Sequence, residues 1–132
     1  MAHFLAPLLS APATSCPLVN ERLGVTLATR VSGAFDSRSR RRGLLGREAM
    51  SSGTALAIAP CGAIHTFFMR FPIDVVFANR DGVVLKVCRN VRPWRIAFAW
   101  GAFAAIEFAA GESVHWTATA AGDRLRLASQ PT

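Results

Sequence analysis

The chain is 132 residues long, 52% hydrophobic and 17% charged, a balance opposite to that of a disordered segment. That length permits one domain with a single modest core, and no apolar run reaches the roughly 20 residues with which a helix spans a bilayer. The net charge of +7 comes from fourteen arginines and the single Lys86, which predicts weak, salt-sensitive attraction to polyanions.

Residues 1–16 read as a disordered leader and 17–130 as one domain. Phe4 to Ala13 is apolar but short and broken by Pro7 and Pro12, and the first ten residues of the chain contain no Lys or Arg, unlike an export signal. Export remains the alternative, because Ala13-Thr14-Ser15-Cys16 faintly resembles a lipoprotein cleavage site. Pro17–Asn20 and Gly24–Val31 are expected strands joined by a Glu21–Gly24 loop, with Val25, Leu27 and Thr29 alternating against Thr26, Ala28 and Arg30. Asp36 or Ser37 can cap a short helix through Arg41–Leu45 that ends at Gly46. In it Leu44 and Leu45 would anchor, and Arg38, Arg40, Arg41 and Arg42 would form the wet face.

Strand signals dominate from residue 55 onward. Leu56–Ala59 stops at Pro60. Ile64–Met69 and Ile73–Ala78 are rich in aromatic and β-branched residues. Asn79-Arg80-Asp81-Gly82 is a hairpin turn into Val83–Val91. Pro93-Trp94 opens a loop, Ala104–Phe108 is a further strand, and Ala110-Gly111-Glu112 turns out of it. Ser113–Ala120 suits one helical turn, and Gly122-Asp123 leads into Arg124–Ala128. The longest apolar stretch, Arg95–Ala110, is broken by Gly101 and carries Glu107, so it reads as core. Many short strands with one or two short helices predict a mainly β protein, an antiparallel sandwich or small barrel. Cys16, Cys61 and Cys88 are odd in number and lack CxxC spacing, which suits a reducing, cytoplasmic compartment.

The order of short elements resembles the Domain of Unknown Function 192 family across about residues 18–128. The resemblance rests on Arg42-Gly43-Leu44-Leu45-Gly46-Arg47, on His65-Thr66-Phe67-Phe68-Met69, and on Arg70-Phe71-Pro72-Ile73-Asp74. Asp81-Gly82, Pro93, Glu107 with Gly111, and Gly122-Asp123 follow in the family's order. Cys61 and His65 depart from the wider family pattern, as does Ala104-Ala105-Ile106-Glu107. The resemblance implies a compact, jelly-roll-like β domain and no established chemistry. It also implies that Arg47 partners Asp74.

Asp74 is the most unusual residue of its strand. Alternation sends Ile73, Val75 and Phe77 to one face and Asp74, Val76 and Ala78 to the other, so a carboxylate sits in a strand apolar on both sides. Burial there costs several kcal/mol unless the group is paired. His65, Phe67 and Met69 share a strand face. A Cys61–His65 pair could hold a metal or act as nucleophile and base, yet no third ligand of suitable spacing lies nearby, and Cys88 and His115 could join only through folding. Trp94, Trp100 and Trp116 could line a ligand pocket, with Trp94 the most accessible, or simply fill core.

The reading that follows is an uncharacterised, non-enzymatic module for a small ligand or protein, with a site gathering Arg47, His65, Met69, Asp74 and Trp94. The alternatives are a hydrolase using Asp74 or Cys61–His65, and non-specific polyanion binding by the Arg38–Arg42 surface. No cofactor, no metal, no transmembrane segment, and a monomer or weak dimer are expected.

Overall fold

The computed structural model describes residues 2–10, 16–36, 40, 53–110 and 118–128. Within them the strands are β1 (Leu18–Asn20), β2 (Val25–Ala28), β3 (Arg30–Ala34), β4 (Thr54–Ile58), β5 (Ala63–His65), β6 (Ile73–Ala78), β7 (Val84–Val91), β8 (Ile96–Phe98), β9 (Ala104–Ala109) and β10 (Leu125–Leu127), with one short helix, α1 (Pro7–Ser10). A five-stranded sheet in the order β3-β4-β9-β6-β7 lies between a three-stranded sheet, β10-β1-β2, and the two-stranded β5-β8. Pairing is antiparallel except between β3 and β4. The protein is mainly β and sandwich-like. Among the described residues no sheet closes into the barrel that was the other expectation.

The central sheet is apolar on both faces because both are covered. On one, Val76, Ile106 and Phe108 pack with Leu18, Leu27 and Leu125 of the three-stranded sheet. On the other, Leu56, Val75 and Phe77 pack with Ile64 and Ala97 of β5 and β8. All six residues of β6 are buried, which explains its near-continuous apolar run. Phe77 is 0% exposed, and truncating such a ring to alanine typically costs about 3–5 kcal/mol.

Several elements differ from the sequence expectation. The run Gly24–Val31 is two strands in two sheets, because the amides of Thr29 and Arg30 both turn to the carbonyl of Gly53, at 2.8 and 3.3 Å. The strand expected over Ile64–Met69 ends at His65, and the Met69 amide closes a turn onto the Thr66 carbonyl at 3.2 Å. Ile96–Phe98, expected as loop or core, pairs with β5. Part of the segment expected as a leader is packed. Leu5 and Leu8 are 0% exposed in the core shared by the three-stranded sheet, and the Phe4 amide donates to the Arg80 carbonyl at 2.9 Å. Their three-residue spacing puts both leucines on one side of a helical turn, which is the reason they can seal that core. The helix expected through Arg41–Leu45, its Gly46 terminus and Gly111–Glu112 lie outside the described residues. Of that helical region only Arg40 is described, its amide bonded to the Asp36 carbonyl at 3.0 Å.

Candidate functional site

The outer face of the β5–β8 sheet is set by its register. Ala63 faces Phe98, Ile64 faces Ala97, and His65 faces Ile96. Ile64 and Ala97 are buried against the central sheet, so alternation turns Ala63, His65, Ile96 and Phe98 outward. The chain on either side continues this face with aromatic rings. Phe67 stacks on His65 with centroids 4.9 Å apart and on Trp94 at 5.6 Å, while Phe68 meets Trp94 at 4.6 Å. At the other end Trp100 meets Phe98 edge-on at 6.4 Å.

These side chains are exposed. Among the described residues, the exposed large hydrophobics are Leu9 and five members of this ribbon: Phe68 at 72%, Trp94 at 55%, Ile96 at 65%, Phe98 at 50% and Trp100 at 90%. An isolated exposed leucine needs no explanation, but a contiguous apolar patch marks an interaction surface. Two of the five also occupy the left-handed backbone region, Phe68 at φ 65° and Trp94 at φ 67°. That conformation costs an L-residue with a bulky side chain roughly 1–2 kcal/mol and persists only where surroundings impose it.

Thr66 imposes it here. The side chain is 0% exposed, and its hydroxyl donates to the Arg92 carbonyl at 2.6 Å while accepting from the Arg95 amide at 2.8 Å. Its carbonyl also receives the Trp94 amide at 3.0 Å. One threonine therefore clamps the turn carrying Trp94 against the turn carrying Phe67 and Phe68. Sequence reasoning missed Thr66, treated Ile96 and Phe98 as part of a core run, and left Trp100 open between pocket and core. The available signal was aromatic density with no charge-bearing acid, since neither 61–71 nor 84–101 contains a carboxylate.

Cations border the ribbon. The Lys86 ammonium lies 5.2 Å from the Phe98 ring centroid and donates to the Phe98 carbonyl at 3.0 Å. Arg70, Arg92 and Arg95 are exposed in or beside the turns.

The residues singled out from sequence divide between three places. His65 and Trp94 belong to the ribbon. Met69, 7% exposed, packs beneath it in the core. Asp74, 4% exposed, is turned away from Ile73 and Val75 and accepts from the Asn90 amide at 2.7 Å. Arg47, His115 and Trp116 lie outside the described residues, as does the Arg38–Arg42 cluster apart from Arg40.

Nothing joins Cys61 to His65 as a catalytic pair among the described contacts. The Cys61 thiol donates to the Ala63 carbonyl at 3.0 Å, and His65 Nδ1 accepts from the Phe67 amide at 3.3 Å. Burial pushes the Cys61 thiol up, Glu107 adds to this, and Arg40 opposes it, so the net shift is away from thiolate. Among the described residues no three His, Cys, Asp or Glu side chains are grouped to hold a metal ion, and no helix is long and apolar enough to cross a membrane.

The profile of the DUF192 family, described as Uncharacterized ACR, matches residues 19–127. No curated protein matches the chain. A solved structure from Sinorhizobium meliloti 1021, provisionally described as a transcription regulator, is similar at a TM-score of 0.72 and 23% identity, covering 85% of this chain and 91% of that one. A protein of unknown function from Novosphingobium aromaticivorans DSM 12444 is similar at a TM-score of 0.66 and 18% identity, covering 89% and 96%. At these identities the likeness is one of fold.

Proposed function

The chain belongs to the DUF192 family of uncharacterised proteins, and on that premise we propose that it is a non-enzymatic binding module whose working surface is the outer face of β5–β8. The observation that carries this reading is the segregation of exposed apolar side chains: five of six lie in one ribbon. Folding alone gains nothing from leaving Trp100 90% exposed, and burying such a side chain is worth about 2–3 kcal/mol. The left-handed Phe68 and Trp94 strengthen the reading, because strained backbone held by a dedicated clamp is a recurrent feature of recognition sites.

The hydrolase alternative finds less support. Asp74 is committed to a backbone amide and Cys61 is held as a thiol. The cysteines are free thiols, which suits a reducing compartment. Polyanion attraction through the ribbon's bordering cations is part of the present reading and needs no separate basic helix.

The test uses 8-anilinonaphthalene-1-sulfonate, an apolar anion, as probe. Native protein is expected to bind it saturably with enhanced emission. Phe98→Ser combined with Trp100→Ser should weaken binding at least about fivefold, with the melting temperature unchanged within about 2 °C because both side chains are exposed. Dye binding that ignores these substitutions would refute the assignment.

A further inference from the structure

We infer that the partner of this face is an anionic lipid surface, onto which the ribbon docks from the aqueous side. This rests on the ribbon being a binding surface and names what it binds. The argument begins with the kind of side chains displayed. Ile96 stands at 65% exposure in the middle of the ribbon, between Trp94 and Phe98. An aliphatic side chain offers no face for stacking a base or a sugar, but it gains fully from entering an acyl layer. The rings near it are also stacked on each other, Phe67 between His65 and Trp94, so their faces are in part already occupied.

Shape points the same way. Ile96 and Phe98 stand on the same face of β8, and Trp94 and Trp100 extend the row from the turns at its two ends. They stand on a two-stranded sheet that forms an outer layer of the protein. Trp100 is the most exposed, at the turn closed by the Ala102 amide on the Ala99 carbonyl, 3.3 Å. Such a raised row can lie against a plane.

Charge complementarity supplies the sign of that plane. Lys86, Arg92 and Arg95 are exposed beside the row, and the contributing segments 61–71 and 84–101 hold no carboxylate. Indole and phenyl rings with a cationic rim and no acid match the interfacial zone of a bilayer bearing anionic headgroups. The Lys86 position shows how this works locally, since its ammonium stands over the Phe98 ring.

Co-sedimentation of the full chain with sucrose-loaded vesicles tests this, using phosphatidylcholine with and without phosphatidylglycerol. Binding is expected only when phosphatidylglycerol is present, with a blue shift of tryptophan emission and quenching by lipids brominated on the acyl chain. Trp100→Ala and Ile96→Ser should each lower partitioning about tenfold, consistent with loss of one buried apolar side chain. Arg92→Gln with Arg95→Gln should lower it by about 25-fold in low salt, at roughly fivefold per charge. Circular dichroism of each variant should match the parent.

Failure of the protein to sediment above the phosphatidylcholine control overturns the lipid assignment. If the dye still binds in that case, the surface reading stands and only its partner is wrong; loss of both removes the surface reading too. Saturable binding of a single-stranded oligonucleotide that survives Ile96→Ser but not Trp94→Ala would overturn the lipid assignment in favour of base stacking. Concentration-dependent dimerisation abolished by Trp100→Ala would overturn it in favour of a second copy.

Discussion

Replacing Asp123 by alanine should cost about 3 kcal/mol, although the residue sits in a turn. Its side chain is 4% exposed, and its two oxygens accept from four donors. Oδ1 takes Arg22 Nε at 2.5 Å, while Oδ2 takes Arg22 Nη2 at 3.0 Å, Asn20 Nδ2 at 2.9 Å and the Ala120 amide at 2.9 Å. The donors differ in what they lose. Arg22 has a 54% exposed side chain and can rehydrate, so it loses little. Ala120 is exposed, which limits its amide to about 1 kcal/mol. Asn20 is 0% exposed and keeps only the 3.3 Å contact to Thr119 Oγ1, so its freed N–H costs about 1–3 kcal/mol. For a domain of this size about 3 kcal/mol corresponds to a fall of roughly 12 °C in melting temperature. Asp123→Asn should cost about half as much, because an acceptor remains for the inner donors.

The same cluster sets a pH dependence. Arg22, followed by Asn20 and the Ala120 amide, holds the Asp123 carboxyl well below its ordinary value of 3.8 against the opposing effect of burial. A carboxyl depressed in the folded state contributes stability that is complete above the unfolded value and lost as pH falls through the folded one. The parent should therefore lose stability progressively below about pH 4, and Asp123→Ala should lose less over the same interval. Thermal and urea unfolding followed by circular dichroism measure both effects. A melting shift under about 2 °C at pH 7 would refute the reasoning, because it would mean that Asn20 finds water or another acceptor.

Asp74→Ala should destabilise by about 1–2 kcal/mol, since it removes a buried carboxylate that accepts from the Asn90 amide on the exposed edge strand β7, while Asp74→Asn should cost less; chemical denaturation separates them. Thr66→Val keeps shape but removes the hydroxyl from the Arg92 and Arg95 backbone, so it should cost about 2 kcal/mol, weaken the near-ultraviolet signal of the Trp94 stack and weaken dye binding; unchanged dye affinity would show that the clamp does not position the rings. Cys61 should react with iodoacetamide at pH 8 several-fold more slowly than a free thiol, and a rate equal to glutathione's would contradict burial as the cause of its raised pKa.

Local pattern made much of the fold readable. β6 and β7 lie where apolar runs flank Asn79-Arg80-Asp81-Gly82, because hairpin turns and β-branched runs act over a few residues. The alternation around Asp74 also foretold its burial on the side opposite Ile73 and Val75. Which sheet a strand joins was not readable: Gly24–Val31 looks like one strand, and its division at Thr29 depends on the Gly53 carbonyl, far away in sequence. The same limit hid the packing of Leu5 and Leu8, whose apolar character says that they can be buried but not against what.

For the site, residue type was legible and exposure was not. His65 and Trp94 stood out as chemistry-bearing residues, but the sequence grouped them with Asp74 and Met69, which the sheet sends to other surroundings. Asp123 looked like an ordinary turn residue until folding brought Asn20 and Arg22 to it. Ile96 and Phe98 read as core, and Trp100 as either core or pocket, because hydrophobicity is a property of a side chain, whereas burial requires a neighbour. Among the described residues tertiary structure supplies that neighbour on only one face of the β5–β8 sheet, and the aromatic row stands on the other.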